Sequence, residues 1–330
     1  MSSLVDTYRR PHRTLRISVT DRCQMRCRYC LPHGAPPPLP RAEILTFEEI
    51  ARIARVGASL GITRIRYTGG EPLLRRGLDQ LIAMTRGIEG VASVSLTTNG
   101  LLLKDRIDFL VRAGLTHLSI SLDSIHREIF EEMTGVDSLQ TVLDAIEAAR
   151  QYDSLTIEMN CVAVRGRTEN EIVPLIRFSR ETNIPIRFIE LMPFEDVEWN
   201  EALVLSGAEI EEIIVRDFGE ESYEEIPRSR PSAPARRFRF KDAGGFGLIE
   251  PVTNLFCGAC DRLRLRSDGQ LFNCLFGRDG FDLRTPARAG SDEEIAAVFQ
   301  KAVFAKGPGG MVEFREQVEN RARVMASIGG

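Results

Sequence analysis

Six short β-rich segments alternate with helical segments between residues 15 and 190, and this alternation predicts an α/β fold with a parallel sheet. The helical segments carry their own signals. Thr46 and Glu49, for example, form a capping-box pattern ahead of the apolar residues Ile50 and Ile53. The predicted strands are Leu15–Thr20, Arg64–Thr68, Ser93–Thr97, His117–Ser121, Thr156–Val164 and Pro185–Glu190.

One face of nearly every predicted strand is polar, and this pattern indicates how the sheet is curved. In the first strand Leu15 and Ile17 share one face, whereas Arg16 and Ser18 share the other. A flat sheet covered by helices would be apolar on both faces, and a closed barrel would fill its interior with branched apolar side chains. The predicted fold is therefore a partial (β/α)6 TIM-like barrel whose lumen holds a polar ligand.

The pattern changes after about residue 220, where acidic residues and prolines precede two short β-rich runs at Arg236–Lys241 and Gly247–Glu250. A helix is predicted near Ser291–Phe304, ahead of a polar tail. We therefore predict two parts. Residues 1–220 form the barrel, and residues 221–330 form a smaller β-containing extension packed on the barrel mouth.

Composition and charge narrow the classes of function. The 330-residue chain has a net charge of −4, so no global basic field attracts DNA or RNA. It contains no apolar run of membrane-spanning length, and its first residues lack the apolar core of a secretory signal. We therefore expect a cytoplasmic protein without a membrane partner. In that reducing compartment the seven cysteines indicate metal or redox chemistry rather than disulfides.

Three cysteines, Cys23, Cys27 and Cys30, follow the first strand directly in a C-x₃-C-x₂-C pattern. They therefore lie at the carboxyl end of the sheet, which is the functional edge of such folds. Three thiolates suit an iron–sulfur cluster with one iron left open. The alternatives are a structural zinc site or three unrelated cysteines. Zinc normally has four protein ligands, and the four histidines show no zinc spacing.

A second group, Cys257, Cys260 and Cys274, has the pattern C-x₂-C-x₁₃-C and also leaves one coordination position open. Structural zinc is again the alternative. Between these cysteines three arginines, at positions 262, 264 and 266, occupy alternate positions and so share one strand face. That face is either a solvated surface or, beside an open metal site, an anion-binding surface, because arginine binds phosphate in a bidentate manner.

The first cysteine loop, with Tyr29 before its last cysteine, resembles the signature of the radical S-adenosylmethionine enzymes. Gly69-Gly70-Glu71-Pro72 resembles the segment of that family that receives the methionine amino group of the cofactor. The resemblance implies that the open iron chelates S-adenosylmethionine. An electron from the cluster would then cleave the sulfonium and release a 5′-deoxyadenosyl radical. The radical arises from the cofactor, so no catalytic residue is assigned.

Two cysteine groups at these spacings resemble the GTP 3′,8-cyclase family of molybdenum-cofactor biosynthesis. The resemblance extends over essentially the whole chain and includes Thr97-Thr98-Asn99-Gly100, Ser121-Leu122-Asp123, Arg187-Phe188-Ile189-Glu190 and the terminal Gly329-Gly330, which resembles a tail that reaches into the barrel.

The resemblance to the cyclase family implies a role for each matching residue. Two 4Fe–4S clusters would bind to the two cysteine groups, and the second would bind guanine. The residues implied at the S-adenosylmethionine site are Tyr29, Gly70, Ser121 and Met192. The residues implied at the GTP site are Arg16, Arg66, Thr97, position 158, Arg262, Leu263 through its backbone, and Arg264.

The implied reaction begins with abstraction of the ribose C3′ hydrogen. The C3′ radical then attacks guanine C8, which yields (8S)-3′,8-cyclo-7,8-dihydroguanosine 5′-triphosphate, and the enzyme would be a lyase. The implied partners are GTP, an electron donor and the cyclic pyranopterin synthase that consumes the product. A homodimer is among the expected assemblies.

One residue departs from the family pattern. The family typically has a lysine associated with substrate phosphate where this chain has Glu158. We expect Glu158 to weaken phosphate binding, to recruit Arg165 or Arg167, or to pair with Arg64 or Arg66. Cyclase activity is expected to survive with altered affinity.

The seventh cysteine and the competing function classes complete the expectations. Cys161 lies on the apolar face of the fifth strand and is predicted to be a core residue.

Two other functions remain open. One is another radical enzyme with an auxiliary cluster, although such enzymes usually have more C-terminal cysteines. The other is a non-catalytic zinc or nucleic-acid-binding protein.

Overall fold

The computed structural model describes residues 3–34, 37–195 and 197–312. Six parallel strands form the centre of its sheet, and at least one helix follows each of them. The strands are β1 Thr14–Ser18, β2 Arg64–Thr68, β3 Ser93–Thr98, β4 His117–Ser121, β5 Thr156–Ala163 and β6 Ile186–Glu190. The helices are α1 Phe47–Ser59, α2 Leu78–Arg86, α3 Ile107–Arg112, α4 Arg127–Thr134, α5 Leu139–Ala149, α6 Ile172–Thr182 and α7 Gly207–Phe218.

All six strands predicted for the barrel are present. β2 and β4 have the predicted bounds, β3, β5 and β6 differ by one residue at one end, and β1 starts one residue and ends two residues earlier than predicted. The helix predicted after Thr46 is α1, and both hydrogen bonds of its capping box are formed between Thr46 and Glu49. Period-2 alternation and capping patterns are local, which explains why the sequence located these elements well.

The predicted distribution of side chains between the two sheet faces is confirmed. Leu15 and Ile17 of β1 have no exposed surface and belong to the large apolar cluster shared with the helices. On the opposite face Arg16, Arg66 and Asn160 line an internal cavity. The lumen of the sheet is therefore polar, as the alternation indicated.

The described part of the extension includes six further strands and the helices α8 and α9. The strands are β7 Tyr223–Ile226, β8 Ala235–Phe240, β9 Gly245–Ile249, β10 Arg262–Leu265, β11 Gln270–Phe272 and β12 Phe281–Asp282. The helices are α8 Arg284–Ala289 and α9 Asp292–Phe304, and Ser291 caps α9. The complete sheet has the strand order β12-β11-β10-β1-β2-β3-β4-β5-β6-β9-β8-β7. β1 and β6 do not pair with each other, which confirms the partial barrel.

Two strands of the extension continue the sheet of the barrel. β9 adds to the sheet beside β6 and β10 adds beside β1, both in parallel. An open barrel leaves backbone groups unpaired along both edge strands, and a strand on each side satisfies them. This long-range pairing has no local sequence signal.

Helix contacts also join the extension to the barrel. Arg52 of α1 bonds to Asp292 at 2.8 Å and donates to the carbonyl oxygens of Ala287 and Gly290, both at 2.9 Å. The end of α8 and the start of α9 are thereby held against α1. In the described part of the chain, no helix combines the length and apolar character needed to cross a bilayer.

Candidate active site

Both cysteine groups open onto one cavity inside the barrel. Its walls include all six cysteines of the two groups. Nine other residues expected at the cofactor and substrate sites also line it, namely Tyr29, Gly70, Ser121, Met192, Arg16, Arg66, Thr97, Arg262 and Arg264. Glu158 and Leu263 do not line it. Leu263 is fully buried, and its strand β10 lies between β11 and β1 in the sheet.

The loop of Cys23, Cys27 and Cys30 is held by backbone hydrogen bonds at the end of β1. The Cys27 carbonyl accepts from the amide nitrogens of Cys30 and Leu31 at 2.9 and 2.8 Å. The loop also hydrogen-bonds to the last turn of α4. Burial raises the pKa of Cys27 well above its ordinary value, and Asp123 adds to the shift. A thiol in that position becomes an anion only when a cation such as iron compensates its charge.

Gly70 lies against the first cysteine loop, and only glycine fits there. Its amide donates to the Thr20 carbonyl at 2.9 Å. A Cβ on Gly70 would overlap the Arg22 carbonyl and lie 3.0 Å from the Cys23 Cβ. The backbone of the Gly69-Gly70 segment is therefore exposed to the cavity at the cysteine loop, as close approach of a ligand requires.

Glu71 is a buried carboxylate that fixes the next strand end. It accepts from the amides of Leu73 and Asn99 at 2.9 and 2.7 Å and from the Thr98 hydroxyl at 2.7 Å. Asn99 in turn directs its amide nitrogen toward the Cys23 sulfur at 3.8 Å. Burial outweighs these hydrogen bonds and raises the pKa of Glu71 to about 7. Glu71 thus couples the Gly70 segment to the end of β3.

Tyr29 is oriented by a residue that the sequence analysis quoted but gave no role. Its hydroxyl donates to Asp123 Oδ2 at 2.7 Å, and Asp123 Oδ1 accepts from the Val162 amide at 2.9 Å. Burial raises the pKa of Asp123 to about 6. The aspartate therefore anchors the tyrosine ring to β5, beside Ser121 at the cavity wall.

The second cysteine group lies beside two cations. Lys306 Nζ and Arg262 Nε both lie 3.4 Å from the Cys260 sulfur. Burial alone would raise the pKa of Cys260, but Arg262 and Lys306 outweigh burial and lower the pKa to about 6. Sequence reasoning missed Lys306 because it lies 46 residues from Cys260, after α9.

The N-terminal segment braces the second cysteine loop. Arg10 donates to the carbonyl oxygens of Cys257, Pro308 and Gly307 at 3.0, 2.9 and 2.6 Å. Its Nε forms an ion pair with the buried Asp6 at 2.6 Å. The loop of Cys257 is thereby tied to the segment after α9, and no sequence pattern indicated this brace.

The two cysteine groups fit iron–sulfur clusters in their donor chemistry. All six thiols are free and partly buried. Within the described ranges no three His, Cys, Asp or Glu side chains converge on a single metal ion. An iron–sulfur cube does not require such convergence, because each thiolate binds a different iron. Each group offers three thiolates to such a cube and leaves its fourth iron to a ligand from the cavity.

Three arginines form a row across neighbouring strands of the lumen. Arg264 of β10 is in register with Arg16 of β1, which is in register with Arg66 of β2. Burial lowers the pKa of Arg66 and of Arg264 to about 10, and burial together with Arg264 lowers that of Arg16 further below its ordinary value. Arginines buried together in this way are stabilised by a bound anion.

Hydrogen bonds at the lumen wall orient Arg66. It donates to the Thr97 and Ser119 hydroxyls at 3.1 and 2.9 Å. Ser119 also accepts from Arg187 at 3.1 Å, so the two guanidinium groups meet at one hydroxyl. Arg187 belongs to a motif that the sequence analysis quoted, but its place in the site was not foreseen.

Glu158 pairs with Arg187, and this corrects the partners considered from the sequence. The distance from Oε2 to Nη1 is 2.5 Å. Arg64 instead pairs with Asp261. Arg165 pairs with Glu209, and Arg167 bonds to surface glutamates. The pair forms because β6 lies beside β5, with Arg187 next to Asn160, and sequence reasoning did not examine that neighbour.

Two remaining expectations concern Cys161 and the tail. Cys161 is 1% exposed and belongs to the apolar core, as predicted. Gly329-Gly330 lies outside the described residues.

Comparison with known proteins identifies the family. Residues 17–179 match the family model described as the radical SAM superfamily, and residues 184–311 match the model described as Molybdenum Cofactor Synthesis C. A curated relative from Rhodopirellula baltica, named GTP 3′,8-cyclase, is 40% identical over 99% of this chain and 92% of that protein. The chain belongs to the GTP 3′,8-cyclase family. A family member from Thermodesulfovibrio yellowstonii is 39% identical over 98% of this chain and 99% of its own length.

Solved structures support the fold of this GTP 3′,8-cyclase family member. Streptococcus suis SuiB bound to the precursor peptide SuiA has a TM-score of 0.64 at 12% identity, and the match covers 97% of this chain and 77% of that one. SuiB bound to S-adenosylmethionine has a TM-score of 0.62 at 12% identity, covering 97% and 78%. At this identity the likeness concerns the fold alone.

Proposed function

We propose that this chain is a GTP 3′,8-cyclase, which converts GTP to (8S)-3′,8-cyclo-7,8-dihydroguanosine 5′-triphosphate for molybdenum-cofactor biosynthesis. The observation that carries the proposal is the single cavity that both cysteine groups and the arginine row line together. Two curated relatives that carry this name align with this chain over nearly their full lengths. The assignment to the lyases is part of this proposal and rests on membership of the family.

The first cysteine group would hold a 4Fe–4S cluster, and Tyr29, Gly70, Ser121 and Met192 would bind S-adenosylmethionine beside it. When bound, these groups supply a carbon-centred radical that removes a hydrogen atom from the substrate. The protein orients the site through Asp123, which fixes the Tyr29 hydroxyl, and through Gly70, which leaves room for the ligand.

The arginine row would bind the anionic substrate. A triphosphate carries several negative charges, and Arg16, Arg66 and Arg264 lie in register across three strands to receive them. Thr97 holds one side of Arg66 and thus sets the direction of its guanidinium. Arg262 and Arg264 line the cavity next to the second cysteine group, whose cluster would hold the guanine end, and Leu263 would contribute through its backbone alone.

Further proposals concern organisation and partners. We retain the division into residues 1–220 and 221–330, since the second group and its cations all belong to the extension. A cytoplasmic location is proposed because six thiols must stay reduced to bind iron. An electron donor, a homodimer and a downstream cyclic pyranopterin synthase complete the proposal on the basis of family membership.

Anaerobic incubation of the reconstituted protein with S-adenosylmethionine, a reductant and GTP tests the function. The expected result is formation of 5′-deoxyadenosine together with a cyclised GTP in equal amounts. Formation of 5′-deoxyadenosine with a peptide substrate and not with GTP would assign a different radical reaction. A colourless protein with stoichiometric zinc would overturn the radical chemistry altogether.

A further inference from the structure

Arg230 enters the cavity from the extension, on the loop between β7 and β8. It lines the cavity together with Pro234 of the same loop. Its Nε is buried and has no hydrogen-bond partner among the described residues. Burial lowers its pKa, and the nearby cations Arg64 and Arg262 lower it further. A half-buried cation beside other cations, with a buried and unsatisfied Nε donor, is costly unless an anion completes its surroundings.

Two neighbouring cations are already engaged by the protein itself. Glu158 pairs with Arg187 at 2.5 Å, and Asp261 pairs with Arg64 at 2.5 Å. Each pair reduces the positive charge that its arginine offers to a ligand. The carboxylates of Glu158 and Asp261 interact electrostatically with Arg230, but within the described residues neither forms an ion pair with it. Arg230 is therefore a cation at this end of the lumen that forms no ion pair with a carboxylate of the described residues.

The loop that carries Arg230 is preorganised. The Arg230 carbonyl accepts from the Ala233 amide at 3.0 Å, and Arg228 donates to the Ala233 carbonyl at 3.2 Å. Pro231 and Pro234 restrict the backbone on either side of this turn. The side chain of Arg230 is thus presented from a turn with little freedom, which lowers the entropy cost of binding.

We propose that Arg230 binds a phosphate group of the substrate and determines how many phosphates the enzyme requires. This inference rests on the proposed function, because it concerns the same cavity. The β7–β8 loop thereby adds a positive charge to the cavity, whereas the positive charge of Arg187 is offset by its ion pair with Glu158. Arg230 is thus assigned to the phosphate end of the substrate.

Equilibrium binding of GTP, GDP and GMP to the anaerobically reconstituted protein tests this inference. Arg230→Gln should weaken GTP binding by roughly 10- to 100-fold, the range expected for loss of a charge-assisted hydrogen bond. It should change GMP binding by less than about threefold, since GMP keeps only the α-phosphate and lacks the β- and γ-phosphates that Arg230 would contact. Arg230→Lys should recover part of the loss, because it keeps the charge.

Arg239→Gln is the matched control, because Arg239 lies on the adjoining strand β8, is exposed and does not line the cavity. It should leave the preference for GTP over GMP unchanged. Equal GTP affinity in Arg230→Gln and wild type would overturn the inference and leave the proposed function standing, as would an equal loss for GTP and GMP. Failure of the wild-type protein to bind GTP would instead overturn the proposed function.

Discussion

Glu158 and Arg187 form an ion pair on neighbouring strands of the lumen, with Oε2 and Nη1 2.5 Å apart. Arg187 also donates to Asn160 and Ser119 at 2.8 and 3.1 Å, so every branch of its guanidinium has a protein partner. The acidic residue thus holds a cation in place inside the cavity and at the same time reduces the charge available to a phosphate.

Glu158→Lys should tighten GTP binding by roughly tenfold, because the carboxylate is removed and a cation is added near the arginines. Without GTP the variant should be less stable, since the new cation lies beside Arg187. Equilibrium binding and thermal unfolding measure the two effects. Glu158→Gln is the matched control. Its GTP affinity and its thermal stability should lie between those of the wild type and those of Glu158→Lys. Weaker GTP binding by Glu158→Lys would show that the ion pair positions Arg187 for the substrate.

Each cysteine group should hold its own share of the iron. Cys27→Ala and Cys260→Ala should each lose about four of about eight irons per chain, because each removes a ligand of one cluster only. Iron analysis and visible absorption after anaerobic reconstitution measure the loss. Cys161→Ala is the control, since that thiol is a core residue, and its iron content should match wild type. Full iron content in either ligand variant would contradict the assignment.

Arg10→Gln should make the second cluster labile and leave the first intact. The variant removes donors from the carbonyl oxygens of Cys257, Gly307 and Pro308 and leaves Asp6 buried without its cation. We expect about half of the iron to transfer to a chelator at least about tenfold faster than in wild type. Arg13→Gln, at an exposed position nearby, is the control. Uniform release of all the iron would argue against a local brace.

Glu71 should make stability depend on pH. Burial raises its pKa from 4.5 to about 7. Ionisation of Glu71 therefore lowers the free energy of unfolding as pH rises through that range. The stabilising contribution of the protonated form is complete below about pH 4.5 and is lost above pH 7. At 1.36 kcal/mol per pKa unit the loss is about 3 kcal/mol.

Thermal unfolding of wild type and Glu71→Gln between pH 5 and 8 measures this contribution. The wild-type protein should lose more stability over that range than the variant, which cannot ionise at this position. Glu89→Gln, at an exposed position, should follow the wild-type curve. Parallel curves for wild type and Glu71→Gln would contradict the raised pKa.

Much of the site could be predicted because its residues belong to short motifs. The loop of Cys23, Cys27 and Cys30 and the Gly69-Gly70 turn each lie within a few residues, directly after strands whose alternation is plain in the sequence. Parallel strands bring their carboxyl ends to one edge of the sheet, so these motifs meet without further information.

Lys306, Arg10 and Arg230 could not be predicted in the same way. Lys306 and Arg10 contact the second cysteine loop, and Arg230 lines the cavity, but all three are distant in sequence from the motifs they join. A lone lysine or arginine in a loop is usually solvated, so none of them gave a signal. The partner of Glu158 was missed for a related reason. Strand pairing, rather than sequence separation, decides which side chains are neighbours.

The sequence by itself determined the partial barrel, its polar lumen and the two cysteine groups, because alternation and motif spacing are properties of short segments. Only the tertiary structure decided that β9 and β10 continue the sheet at opposite edges and that Arg264, Arg16 and Arg66 lie in one row. The physical reason is that hydrogen bonding between sheet edges and compensation of buried charge act between residues up to about 250 positions apart, where no local pattern records them.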